Sequence, residues 1–233
     1  MARQKANTTK LEIIQVATQM FMKRGFTDTS AKAISDELNI STGNLTFHFP
    51  TKEHLLVEMV QMLCAFQWKM MTQVTSGGST SLLALCLELI IMAAICEENE
   101  VMKDFYISAY THPMTLEIIR QNDAQRAKMI FKDYSMGWDE KDFFEAEMLV
   151  SGIEYATLMK TNDDLSFEKR ISGALNTIMM IYGVPEELRQ VKIEKVLAMD
   201  YRGIGRRIVQ EFAKYIEKVN EQALEELKQK TLR

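Results

Sequence analysis

Apolar residues recur along this chain at spacings of three and four, the period of amphipathic helices, with no sustained alternation of the kind strands require. The first stripe is Ile13, Ala17, Met20 and Phe21, opened by the capping-box pattern Thr9-x-x-Glu12 and closed by Lys23-Arg24 and Gly25. Thr29 or Ser30 caps a second helix over residues 31–38, and Asn39 suits a left-handed end to it. Ile40 follows as an apolar plug, and Ser41 caps a short third helix over about residues 42–47. Pro50 cannot continue that helix, and Thr51 caps a fourth, whose stripe of Leu55, Leu56, Met59, Leu63, Phe66 and Met70 reaches about Val74. Two helices of about seven residues, closely joined and preceded by a longer one, make a tri-helical helix-turn-helix. Gly43, one turn into the third helix, disfavours helix, and a close approach to another backbone or to a ligand would explain it.

Ser76-Gly77-Gly78-Ser79 reads as a linker. Beyond it the pattern predicts helices over about 81–97, 100–111, 114–135, 140–161, 166–183, 186–199 and 204–230. Breaks fall at Glu97-Glu98-Asn99, His112-Pro113, Gly137-Trp138-Asp139, Asn162-Asp163-Asp164, Gly183-Val184-Pro185 and Asp200–Gly205, and the charged end, Glu225–Arg233, is expected to fray. No repeat of fixed period is present. The expectation is an all-α protein with an N-terminal head, residues 6–66, and a larger helical domain, residues 67–233.

Charge changes this picture only slightly. The chain carries a net −4, but residues 1–60 hold seven Lys/Arg against six Asp/Glu, so the acid sits in the body. A nucleic-acid reader built on this head would depend on a few well-placed phosphate contacts and two copies acting together. The start lacks an apolar signal region, and the most apolar run, Ser81–Cys96, is interrupted by Glu88 and too short for a bilayer, so a cytoplasmic protein without a membrane partner is expected. Cys64, Cys86 and Cys96 form no C-x-x-C pair and read as reduced, buried thiols. No nucleophile elbow, phosphate loop or H-E-x-x-H motif is present, and His48 and His54 have no ligand partners nearby, so no catalytic site, metal or cofactor is expected. The scattered Glu and Asp read as solvated helix faces, and the Arg202–Arg207 cluster as a solvated turn or an anion site.

The segment Ile40-Ser41-Thr42-Gly43-Asn44-Leu45-Thr46-Phe47-His48-Phe49-Pro50-Thr51-Lys52-Glu53-His54-Leu55-Leu56 resembles the TetR family of bacterial regulators, as do Ala17–Phe26 and Thr29–Ser35. The resemblance covers roughly residues 8–66 and implies a head that docks its third helix in the major groove. On that helix Thr42, Asn44, Thr46 and Phe47 would face base edges, since Asn can bond adenine twice and Thr or Phe can touch a thymine methyl. Phe47 could instead be core, while Leu45 and Phe49 anchor the helix. The family pattern puts His48 and Lys52 on phosphate-contacting positions, with a solvated helix-end cation as the alternative for His48, and Thr29 and Thr51 sit at helix N-termini that favour phosphate. Thr46 stands where the family often has Tyr, and Thr42 where Lys is common, which points to a different operator sequence or affinity.

The resemblance also implies a body that forms a ligand pocket and a homodimer interface. Met92, Met102, Met129, Met148 and Met159, with Tyr106, Tyr110 and Tyr155, lie on helices able to surround a cavity for a small apolar or aromatic effector, although plain core filling would use the same residues. The helices near 140–161 and 166–183 match the family's dimerising pair, which implicates Phe144, Met148, Gly152, Ile153, Leu175, Ile178, Met179 and Tyr182. Those faces could equally bury against their own subunit. The expected function is a ligand-responsive repressor that binds a palindromic operator in double-stranded DNA as a homodimer. The alternatives are a helical protein-binding adaptor and a small-molecule-binding protein that does not bind DNA.

Overall fold

The computed structural model describes residues 2–76, 80–159 and 165–231. Most of the expected Ser76–Ser79 linker, the Asn162–Asp164 break and the last two residues lie outside the described residues. All regular structure among the described residues is helical: α1 (Ala2–Arg24), α2 (Ala31–Glu37), α3 (Thr42–His48), α4 (Lys52–Ser76), α5 (Ser81–Glu98), α6 (Glu100–Thr111), α7 (Pro113–Phe131), α8 (Glu140–Leu158), α9 (Phe167–Ile181), α10 (Glu186–Leu197) and α11 (Tyr201–Thr231). None of these helices is long and apolar enough to cross a membrane.

Local chemistry sets most of the boundaries. Gly25 ends α1 at φ 91°, its N–H donating to the Phe21 carbonyl at 2.9 Å, and Asn39 takes φ 53° after α2. Ser30, Ser41, Thr80, Asn99 and Ser166 each accept a backbone N–H as side-chain caps of α2, α3, α5, α6 and α9. Asp139 and Asp142 close a reciprocal capping box on α8. The box expected at Thr9 does not form, because α1 already starts at Ala2. No Gly or Pro stands between Ala2 and Thr9 to halt the helix.

Leu45, Ile34 and Phe49 bury beneath α2 and α3 against Ile13, Ala17 and Phe21 of α1 and Leu55, Leu56 and Met59 of α4. In the body, α5 is apolar on nearly every side and runs through the centre, in contact with α4 and with α6 through α11. The division expected at residue 66 falls inside α4, which continues unbroken from head to body, and Phe66 lies 5.3 Å from Phe212 of α11, ring to ring. The long last helix also reaches back to the head, where the buried Asn220 amide donates to the Thr18 hydroxyl at 3.0 Å.

One sequence feature resolves differently from expectation. The Arg202–Arg207 cluster is the opening of α11, not a turn, and Arg202 and Arg206 pair with Glu97 and Glu98 at the end of α5. Gly205 lets α11 approach α5: a Cβ there would lie 3.3 Å from Ile95. The three thiols are buried, as expected, and burial pushes each up to about 12.

Candidate nucleic-acid interface and interior cavity

On α3 only Leu45 is buried; Thr42, Gly43, Asn44 and Thr46 are exposed, and Phe47 is 78% exposed. Phe47 is therefore not core, and Phe49 is. The two hydroxyls have local company: Thr42 Oγ1 lies 3.3 Å from Ser35 Oγ, and Thr46 donates to the Gly43 carbonyl at 3.2 Å. A Cβ on Gly43 would meet only Ser41 Oγ, at 3.8 Å, so the protein's own packing does not require this glycine. His48 is half-buried, its ring edge-on to Phe47 at 5.2 Å. Thr51 is exposed and its hydroxyl pairs with His54 Nδ1 at 3.0 Å.

Two residues expected at phosphates are otherwise engaged. Thr29 is fully buried and donates to the Gly25 carbonyl at 2.7 Å, so the exposed cap of α2 is Ser30. The Lys52 ammonium turns inward onto the α1–α2 turn, 2.7 Å from the Phe26 carbonyl, 3.4 Å from that of Thr27 and 4.1 Å from the centre of the Phe26 ring. Burial there lowers its pKa below the usual lysine range. The same turn is held from the body, where Asp104 of α6 accepts both the N–H and the hydroxyl of Thr27.

Inside the body lie two adjoining cavities that share Glu88 and Met92 on their walls. One, about 110 Å³, is apolar and faces α4, α6 and α11 through Phe66, Tyr106 and Ile204. The other, about 30 Å³, is enclosed by α5, α7, α8 and α9 and carries charge: Glu88, Asp123, Arg126, Glu147 and Glu154 all line it. Arg126 grips Glu88 with both terminal nitrogens and Asp123 at 3.1 Å, while its buried Nε has no partner. Glu147 accepts from the Tyr182 hydroxyl and Glu154 from that of Tyr110, at 2.9 Å for the latter pair. Burial raises the carboxyls of Asp123 and Glu154 and pushes that of Glu147 up to about 8, with the Asp123 charge adding to both glutamates.

Of the expected pocket residues, Met92 lines both cavities, Tyr106 lines the apolar one, and Tyr110 reaches the polar one through Glu154. Met102 is buried but lines neither, and Tyr155 and Met159 are half-buried near the end of α8. Met129 and Met148 point outward, 57% and 52% exposed. Their helices do border the cavity, but on the opposite faces. The acidic residues were the unexpected part, since a sequence of amphipathic helices places Glu and Asp outside. The available signals were Glu88 within an otherwise apolar run and the i, i+4, i+7, i+11 row of Phe143, Glu147, Val150 and Glu154.

The expected dimer face divides in a similar way. Leu175, Ile178, Met179 and Tyr182 are buried within their own subunit, where the Tyr182 ring stacks on Phe131 at 4.0 Å. The apolar stripe of α9 is thus spent on the chain's own core. Outward-facing residues are Met148, Leu149 (64% exposed), Gly152 and Met180, with Phe144 and Ile153 half-buried beside them.

Residues 13–59 match the family described as bacterial regulatory proteins, tetR family. No curated protein matches the chain. Among solved structures, a gamma-butyrolactone receptor (ArpA-like protein) is 18% identical, with a TM-score of 0.44 over 91% of this chain and all of that one. CprB, a TetR family protein from S. coelicolor A3(2), is 20% identical, with a TM-score of 0.41 over 89% of this chain and 99% of that one. The family match thus falls on the helix-turn-helix head, residues 13–59, which is similar to the tetR family of bacterial regulatory proteins.

Proposed function

We propose that the chain is a transcriptional regulator that reads a palindromic operator as a homodimer and releases it when a small molecule occupies the interior of the body. The observation that carries this reading is α3, a helix pinned by one buried leucine that leaves Asn44 and a 78%-exposed Phe47 on its open side. An exposed phenylalanine beside a free-standing amide suits a groove of base edges and thymine methyls, not water. In this reading Thr42 and Thr46 complete the reading face, and His48, Thr51 and the Ser30 cap of α2 would meet phosphate. Thr29 and Lys52 act from behind, holding the turn that carries α2. Residues 6–66 form the DNA-reading part in this account, and residues 67–233 the effector and dimer part.

Two subunits meet on the outer face of α8 and α9 in this reading. Met148, Leu149 and Met180 supply exposed apolar surface there, and a Cβ on Gly152 or Gly173 would meet nothing within 4 Å, which leaves room for a second backbone. The effector would reach the head through α4. Gln67 donates to Glu88 on the cavity wall at 2.6 Å, and Trp68 reaches Asp123 through Asn122, at 2.8 and 2.9 Å. The same helix begins at Lys52, against the α1–α2 turn. A molecule that displaces Glu88 or Asp123 therefore acts on a helix the head is built upon.

Selection of bound duplexes from a random library tests the reading. Enrichment of an inverted repeat, with Asn44→Ala altering the preferred base at one position per half-site, is the expected result. Recovery of no preferred sequence would count against it.

A further inference from the structure

We infer that the polar cavity takes an organic cation: a small amine with an apolar body, its ammonium held by Glu147 and Glu154 and an acceptor atom on the same molecule met by Arg126. This rests on the reading of the interior cavities as the effector site, and names the chemistry they select.

The charges on the cavity wall are unbalanced. Four carboxylates line the cavity against one guanidinium. The terminal nitrogens of Arg126 are taken by Glu88 and Asp123, and among the described residues no ion pair reaches Glu147 or Glu154. Their partners are the hydroxyls of Tyr182 and Tyr110, which stabilise a carboxylate far less than a cation does. Buried carboxyls without a cation in direct contact are costly, and they escape the cost by protonation or by taking a cation. A metal ion is a poor candidate, because among the described residues no group of three or more His, Cys, Asp or Glu is placed to hold one.

A second observation points independently to a ligand. Arg126 is 3% exposed, lines the cavity, and leaves its buried Nε without an acceptor. Natural interiors leave few donors unpaired, and such a gap on a cavity wall is what an incoming acceptor would fill. The remaining wall is hydrocarbon and ring, from Leu89, Met92, Val150, Ile178 and the stacked pair Phe131–Tyr182, and it continues into the apolar cavity beyond Met92. An aryl or alkyl body fits there, and an aromatic face adds attraction for an ammonium.

The amine takes the place of protons. Glu147 faces Asp123, Arg126 and Arg120 from α7 and Tyr182 from α9, with Glu88 of α5, Tyr110 of α6 and Glu154 of its own helix around the same space. With its carboxyl pushed up to about 8, it is largely protonated at neutral pH. An arriving ammonium, which stays largely charged through neutral pH, draws that proton off into the buffer. Binding then tightens as pH rises from 6 to 8.

The test uses the full chain and three probes of one shape: 2-amino-1-phenylethanol, the neutral 1-phenylethane-1,2-diol and the anionic mandelate. By titration calorimetry at pH 7.5 the amine is expected to bind at least tenfold more tightly than the diol, with mandelate weakest and a proton released on amine binding. Glu147→Gln and Glu154→Gln keep an acceptor for each tyrosine, and either should reduce amine affinity about tenfold while leaving the diol unchanged. Amine binding no tighter than the diol, absence of binding included, overturns the inference, and the wild-type comparison stands even if a variant fails to fold. Release of a selected operator duplex separates the two readings. If the amine binds but leaves DNA affinity unaltered, the charge preference holds and the effector role of the cavity falls. If the diol or mandelate releases DNA and the amine does not, the effector role holds and the inference falls.

Discussion

Asp104, in the body, holds Thr27, in the head: one carboxylate oxygen accepts the Thr27 N–H at 2.9 Å and the other accepts its hydroxyl. These residues are 77 positions apart, and Lys52 fixes the same turn through two carbonyls. The site is also closed to a larger residue at Gly25, where φ is 91° and a Cβ would lie 2.8 Å from an Asp104 oxygen. The α1–α2 turn is thus clamped between α4 and α6, and α2 and α3 follow from it.

Breaking that clamp should cost stability and loosen the head. Asp104→Ala is expected to destabilise the chain by about 1 kcal/mol in urea unfolding. A cycle with Thr27→Val should show the two changes to be non-additive by on the order of 0.5 kcal/mol or more. Additive effects would mean the contact carries no energy. Lys52→Ala belongs to the same test: it should lower the melting temperature through the lost turn contacts, before any DNA is added.

The face of α3 should behave in the opposite way. Asn44→Ala and Phe47→Ala replace exposed side chains and should alter stability by less than about 0.5 kcal/mol. Each is expected to weaken binding to a selected operator by about 1–3 kcal/mol in fluorescence anisotropy. Leu45→Ala, by contrast, empties the one buried position on α3 and should destabilise the fold by about 2–5 kcal/mol.

Stability should fall as pH rises through neutrality. The carboxyls of Asp123, Glu147 and Glu154 lie above the usual range in the folded chain, mainly through burial, so the native state keeps protons that the unfolded chain releases. The loss runs from the ordinary carboxylate range up to about 8, the level to which burial raises Glu147, at no more than about 1.4 kcal/mol per pH unit for each proton. Glu53, Glu97 and Glu98 are held below the usual range, so their contribution disappears only as acid protonates them. A melting temperature that peaks near the ordinary carboxylate range, at about pH 4–5, and declines through neutrality is expected. Glu147→Gln should flatten the decline, and an unchanged slope in that variant would show that this carboxyl is not responsible.

The oligomer has its own test. Leu149→Glu, alone or with Met148→Glu, places charge on the exposed apolar face of α8 without touching the core. Light scattering should show a shift from dimer to folded monomer, and a dimer that survives both changes would put the interface elsewhere.

What the sequence made legible was local. The caps at Ser30 and Ser41, the left-handed ends at Gly25 and Asn39, and the burial of Leu45 and Phe49 follow from side chains acting within a turn or two of themselves. What escaped it depends on partners far along the chain. Thr29 carries a cap-forming side chain, yet the fold buries it against Gly25 and leaves the role to Ser30. The apolar stripe of α9 is plain from its spacing, but spacing does not say whether a stripe faces its own core or a second subunit, and Tyr182 faces Glu147 of α8. The polar cavity needed four helices to assemble, and Asp123 and Glu154 on their own resemble any solvated acid.

The central claim is that the exposed side of α3 reads DNA in paired heads, and salt-dependent binding to a selected duplex tests it most directly. Affinity measured by anisotropy between 50 and 200 mM salt should fall on the order of a hundredfold or more, as released counterions require, with two chains bound per inverted repeat. Binding that ignores salt, or one chain saturating the duplex, would contradict it.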